Sequence, residues 1–215
     1  GYALVGLSEA GQPDVETQRA IISYLFKTQD KTGCWRIRTH RPPLEDSHFT
    51  ATALAMRCLV EFVDVADRNE SLNSAVAWLR KAKPKSTEDH TFKLLGLHWT
   101  KDTELEASAA QTLLEMQRED GAWSGYKDGE PSIEETALAL EALAIVREED
   151  LETQAKLENA RNRGALWLVK QVENGAWRVP SPIGFYFAKL WYFEKLYPMI
   201  ATVGALTRMV NALKS

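Results

Sequence analysis

The chain has 215 residues, 45% hydrophobic and 26% charged, with a formal net charge of −4. That length supports one domain with a substantial core, and the slight acidic balance gives no electrostatic ground for binding nucleic acid or an anionic membrane surface. No apolar run reaches the roughly 18 residues a bilayer-spanning helix needs, and Cys34 and Cys58 have neither metal-type nor disulfide-framework spacing.

The chain opens without Met, inside a predicted helix near 2–10, so a piece of a longer or processed protein is expected. A second helix near 13–28 starts at Pro13 and runs into "TQDKTGCW". "HRPPLEDS" is a stiff Pro-Pro approach to a third helix near 46–63, with Arg41 expected to pair with Glu45 or Asp46. Helices near 69–82 and 87–99 flank Pro84, and one near 103–117 runs into "MQREDGAW". Pro131 precedes a helix near 132–147, and a helix near 152–171 runs into "KQVENGAW". The aromatic stretch "IGFYFAKLWYF" predicts a helix near 185–196, and Pro198 leads a last one near 199–213. No segment alternates for long between turn residues, so no strand is predicted.

Two interleaved series emerge. One has an amphipathic helix, Gln, a polar turn and Gly-x-Trp, ending at Trp35, Trp123 and Trp177. The other is Ala- and Leu-rich and led by paired acids beginning at Glu45, Glu88 and Glu134. Both recur at a period of about 45 residues. The acid-led helices are apolar on most sides and should be inner; the others, charged on one face, should be outer. The expected fold is all-α: an α/α toroid or solenoid of about five helix hairpins with inner and outer helices alternating, in a single domain over 1–215.

These units resemble the repeats of squalene–hopene cyclases and of the wider prenyltransferase and squalene-oxidase family. Arg19-Ala20, Tyr24-Leu25, Gln29, Gly33 and Trp35 fit that repeat closely. Arg163-Gly164, Trp167-Leu168, Gln171, Gly175 and Trp177 fit with one residue fewer, and Gln117, Gly121 and Trp123 match its later half. The repeat Gln and Trp are read as structural. Six hairpins close the ring in the family, so five imply an open cleft, a partner domain or a missing N-terminal hairpin.

The resemblance implies protonation-initiated cyclisation of a polyprenyl chain, as in class II-type terpenoid cyclases. The family's acid motif is Asp-x-Asp-Asp followed by Thr-Ala. "SIEETA" matches it with Glu at both acids, which makes Glu134 the proton donor and Glu135 its partner. The competing reading is helix capping, with Ser47, Ser86 and Ser132 as N-caps and the acids favoured by the helix dipole. The order "PSIEETALALEAL", the Gly164 unit, then "GFYFAKLWYFEKLYPMIATVGAL" is also similar to the C-terminal end of such cyclases, which sets this helix late in the family order, where no acid motif falls. Asp46, His48, Asp89 and His90 are expected at one end of the toroid. Carboxylate and imidazole suit zinc, but the Cys of the zinc-holding prenyltransferase subunits has no counterpart, so no metal is assigned. Phe49, Phe92, Trp99 and Phe187 are expected to line a dry central cavity, with Trp191 among the aromatic residues facing it. The implied ligand is hydrophobic and isoprenoid-type, with no cofactor. The alternative is a non-catalytic toroid that binds a hydrophobic ligand or a protein partner. Two unpaired thiols favour the cytoplasm, and such a ligand is compatible with a membrane-peripheral place.

Overall fold

The structure is a computed structural model that describes every residue except 12, 148–149, 186–188 and 213–215, and leaves the side chain of Tyr2 aside. Its helices begin where a short polar side chain takes up free amides. Asp14 caps α2 (Val15–Thr28), Ser47 caps α3 (His48–Phe62), Ser86 caps α5 (Thr87–Trp99), Ser132 caps α7 (Ile133–Ile145) and Asp150 caps α8 (Leu151–Glu173). Each such cap contributes about 1 kcal/mol. The remaining helices are α1 (Tyr2–Ala10), α4 (Val65–Lys81), α6 (Thr103–Glu115) and α9 (Leu196–Ala212). Pro198 lies in the first turn of α9, where its missing N–H leaves no helical bond unmade.

The helices form two curved layers. In the inner layer α3 packs between α1 and α5, α5 between α3 and α7, and α7 between α5 and α9. In the outer layer α2 lies on α3, α4 on α3 and α5, α6 on α5, and α8 on α7 and α9. Burial follows from this. Inner α3 and α7 each bury nine residues, whereas outer α4 and α6 bury two each, so the apolar all-round helices are the covered ones. Two cores result, one about Leu54, Met56, Leu59 and Leu79 and one about Trp123, Leu140, Leu143 and Leu168. Leu95 and Ala109 pack against both and join them. Complete burial of each large apolar side chain is worth about 1.5–3 kcal/mol.

The chain departs from expectation at the aromatic stretch. The described residues of this stretch do not form the expected helix: β1 (Ser181–Phe185) pairs antiparallel with β2 (Leu190–Glu194), Ser181 opposite Glu194 and Phe185 opposite Leu190. The dense aromatic residues suit a pleated surface. Phe185 stacks on Tyr192 with ring centroids 4.7 Å apart, and the Gly184 N–H donates to the Pro42 carbonyl at 2.8 Å. The fifth expected helix hairpin is therefore this β-hairpin followed by α9 alone.

Two pairs of outer helices, α2 with α4 and α6 with α8, are stapled in the same way. Gln29 Nε2 donates to Gly33 O at 2.8 Å and to Ser71 O on α4 at 2.9 Å. Gln117 Nε2 donates to Gly121 O at 2.9 Å and to Ala160 O on α8 at 2.8 Å. The indole N–H groups of Trp35 and Trp123 each donate at 2.8 Å to the outer helix before them, at Leu25 O and Leu113 O. Gly121 has φ 94° and a Cβ there would stand 2.8 Å from the Arg163 carbonyl oxygen, so only glycine lets α8 approach. The third unit differs. α8 runs on past Gln171, and Ala176–Arg178 forms a single 3-10 turn. Among the described residues, neither Gln171 nor the Trp177 indole finds such a partner. The arginine clamps were not foreseen. Arg161 of α8 donates to Leu143 O at 2.8 Å and Val146 O at 2.6 Å, and Arg68 of α4 donates to Val63 O at 2.9 Å. Each guanidinium closes the C-terminal carbonyls of the inner helix beneath it.

Candidate functional site: an acidic cleft at the toroid mouth

The N-terminal ends of the inner helices gather at one end of the molecule. Aligned on their capping serines, the helices show that the paired acids are not equivalent. Glu88–Asp89 and Glu134–Glu135 occupy the first turns of α5 and α7, whereas Glu45 and Asp46 precede the cap of α3. The segment before that cap reaches across the mouth. Glu45 accepts from the Tyr197 hydroxyl of α9, Arg41 lies 5.1 Å over the Phe185 ring, and Pro42 holds β1. Beneath this segment is a cleft of about 450 Å³, lined by Leu44, Tyr126, Ile183 and Tyr197 among others and by the carboxyls of Glu88, Glu130, Glu134 and Glu135.

Two of these carboxyls are almost fully buried, Glu88 at 4% and Glu135 at 6% exposure. Burial pushes Glu135 up to about 7, against its own backbone N–H and with the Glu134 charge adding to the rise. Burial likewise pushes Glu88 up to about 7. The Thr50 hydroxyl, donating at 2.6 Å, opposes this, and Asp89, Glu135 and Asp46 reinforce it. Glu135 has no side-chain partner among the described residues, and its Oε1 would stand 2.9 Å from a Cβ added at Gly125. Glu134 is half-buried and accepts a hydrogen bond from Ser181 of β1.

The other candidates lie elsewhere. Asp46 pairs with His40 across the loop. Asp89 accepts from Ser47 Oγ at 2.5 Å and from the Lys85 N–H at 2.9 Å. His48 accepts from the Ile37 N–H through Nδ1 at 3.3 Å, and burial lowers its pKa. Asp46, His48 and Asp89 line a second cleft of about 440 Å³ beside the first; burial also lowers the pKa of His90, which does not line it. No group of three or more His, Cys, Asp or Glu is placed to hold a metal ion among the described residues. Phe49 packs 4.8 Å from the Trp78 ring of α4, between the layers. Phe92 is buried in the first core. Trp99 sits at the opposite end of α5, with the Arg57 guanidinium 5.5 Å over its ring. Trp191 is on β2, 47% exposed, and Phe187 lies outside the described residues. The first cleft thus brings together Glu134 and Glu135, and the second brings together Asp46, His48, Asp89 and Phe49. Glu88, Thr50, Tyr126, Ser181 and Tyr197 complete the first unforeseen. Only Glu88 had a visible signal, since it stands at the same distance from its capping serine as Glu134.

Two layers of alternating helices, stapled in a repeating way, define the architecture. The prenyltransferase alpha-alpha toroid domain matches the chain twice, over residues 2–92 and 89–179. The chain belongs to this family. The two matches meet in α5, so each covers two inner helices and the outer helices beside them. No curated protein matches the chain. In this toroid, no helix among the described residues is long and apolar enough to cross a membrane.

Proposed function

We propose that the toroid is cyclase-like and that the mouth cleft seats an apolar, isoprenoid-type ligand against a neutral acid. The supporting observation is Glu135: a carboxyl without a side-chain partner among the described residues, buried, holding its proton near neutrality and lining a cleft of about 450 Å³. That volume lies in the ordinary range for small-molecule sites, and Leu44, Pro182 and Ile183 supply apolar wall. In the reaction, the Glu135 carboxyl gives its proton to one alkene carbon. The π electrons form the new C–H bond, and the cation falls on the more substituted carbon. A second double bond of the chain attacks that cation and closes a ring. Transfer of a proton from the carbon beside the final cation to the Glu135 carboxylate forms the product double bond and restores the acid. Of the acid pair, burial favours Glu135 as donor, with Glu134 as its fixed neighbour held by Ser181. The rings of Tyr126 and Tyr197 face the developing cation.

A second reading, a binding domain without turnover, draws support from Phe49 and Trp99, which are engaged with Trp78 and Arg57 instead of lining the cleft. Incubation with squalene and shorter polyprenyl hydrocarbons separates the two. Cyclisation predicts product from the wild type and none from Glu135→Gln, with binding kept in both. Product that survives the substitution refutes the role of Glu135. Binding without product in the wild type establishes the binding domain.

A further inference from the structure

We infer that the mouth cleft recognises an organic ammonium cation carried on an apolar body, and that it rejects isoprenoid diphosphates. This rests on the reading above that the cleft is the ligand site, and it specifies the charge of what enters.

The cleft has four carboxyl groups, on Glu88, Glu130, Glu134 and Glu135, and no Lys, Arg or His in its lining among the described residues. Several donors near an anion's place are already engaged. The Asp89 N–H goes to Ser86 Oγ and the Glu135 N–H to Ser132 Oγ, one amide at each helix start. The Ser181 hydroxyl goes to Glu134 and the Tyr197 hydroxyl to Glu45. The Thr87 N–H goes to the Gly125 carbonyl at 3.1 Å. A diphosphate would meet four carboxyls and no cationic side chain in the described lining. An ammonium group would meet Glu135, which has no side-chain partner among the described residues though it is only 6% exposed, and Glu88, which accepts from Thr50. The tyrosine rings offer cation–π contact to a quaternary centre, and Leu44, Pro43, Pro182 and Ile183 take the apolar body. In the proposed chemistry the same arrangement stabilises the carbocation once Glu135 has given up its proton. A permanent cation is held by the charge distribution of that later state.

The carboxyls around this pair are Glu134 on α7, Asp89 on α5, and Asp46 and Glu130 in the adjoining loops, with Tyr197 on α9; on its other side Glu88 borders the second cleft, which His40, His48, Lys83 and Lys85 also line. With Glu135 and Glu88 near 7, the ionised fraction of either rises about tenfold from pH 6 to pH 8, and affinity for a cation should rise with it.

The test uses octyltrimethylammonium below its micelle concentration, its uncharged carbon isostere with a tert-butyl head, and octyl sulfate, by titration calorimetry on the whole chain. The ammonium should bind at least tenfold tighter than the isostere at pH 8, and about tenfold tighter at pH 8 than at pH 6. Octyl sulfate should not bind. Glu135→Gln and Glu88→Gln, each checked for unchanged circular dichroism, should remove most of the preference for charge. Equal binding of ammonium and isostere overturns this inference and leaves a hydrophobic-ligand site standing. Tighter binding of the sulfate overturns it as well. No binding of any of the three overturns both this inference and the ligand-site reading.

Discussion

Gln117→Ala removes one side chain that holds two carbonyls. Its Nε2 donates to Gly121 O at 2.9 Å and Ala160 O at 2.8 Å, tying the turn after α6 to α8. Each bond is worth about 0.5–1.5 kcal/mol net, and a carbonyl left dry costs about 1–3 kcal/mol. Gln117 is half-buried, so water reaches part of the gap, and the expected loss is about 2–3 kcal/mol. For a chain of this size that lowers the melting temperature by about 4–12 °C. Gln29→Ala should match it, because its bonds to Gly33 O and Ser71 O repeat the geometry. Gln171→Ala should stay within about 0.5 kcal/mol, since no such partner exists among the described residues. Urea unfolding of the three variants, compared at constant slope, reads the difference directly. A Gln171→Ala loss equal to that of Gln117→Ala, or a Gln117→Ala loss below about 0.5 kcal/mol, refutes the stapling argument.

Two other outcomes follow from the geometry. Glu88 and Glu135 titrate near 7 in the folded chain against an ordinary 4.5, so the fold holds protons that the unfolded chain releases between those values. Stability should therefore fall as pH rises from 4.5 to 7 and level off above. Between pH 5 and pH 8 the wild type should lose at least about 2 kcal/mol more than a Glu88→Gln, Glu135→Gln double variant; parallel unfolding profiles for the two would show that burial does not hold these protons. Gly121→Ala should cost several times as much as Gly175→Ala, because a Cβ at Gly121 meets the Arg163 backbone whereas one at Gly175 meets only Arg178 Nη1, at 3.8 Å. At Gly175, φ is 73°, so about 1 kcal/mol of left-handed strain is all that is expected there. Similar melting temperatures for the two variants would remove the close-approach argument.

Local chemistry carried most of the architecture into view. Serines at 47, 86 and 132 mark helix starts because their hydroxyls answer amides two or three residues on. The repeated Gln and Gly-x-Trp show the pairing of helices because each joint uses the same few bonds. The aromatic stretch failed because a short apolar run suits strand and helix alike. What decides it includes the Gly184 N–H bonded to Pro42, a contact between segments far apart in the chain. The site was legible to the same degree. Adjacent acids at Glu134 and Glu135 were evident, but which of them is buried depends on the Gly125 backbone and on β1, which are set by tertiary packing. Glu88 was seen only as one of a repeated pair, since its approach to Glu135 needs α5 and α7 side by side. Phe49 and Trp99 were assigned to the axis because helical period does not say which neighbour a ring will meet.

The glutamine bonds join α2 to α4 and α6 to α8, and each tryptophan bond stays with the helix before it. A lesion at Gln29 is felt at once in α4, but it reaches α8 only through the intervening cores. Melting of such an assembly is free to begin at either rim and travel inward unit by unit, as in a nearest-neighbour chain. Grafting a further hairpin against Gln171 and Trp177 would leave every bond on the opposite flank as it is. Length is thus a property that duplication or engineering alters at the margin, without rewriting the interior.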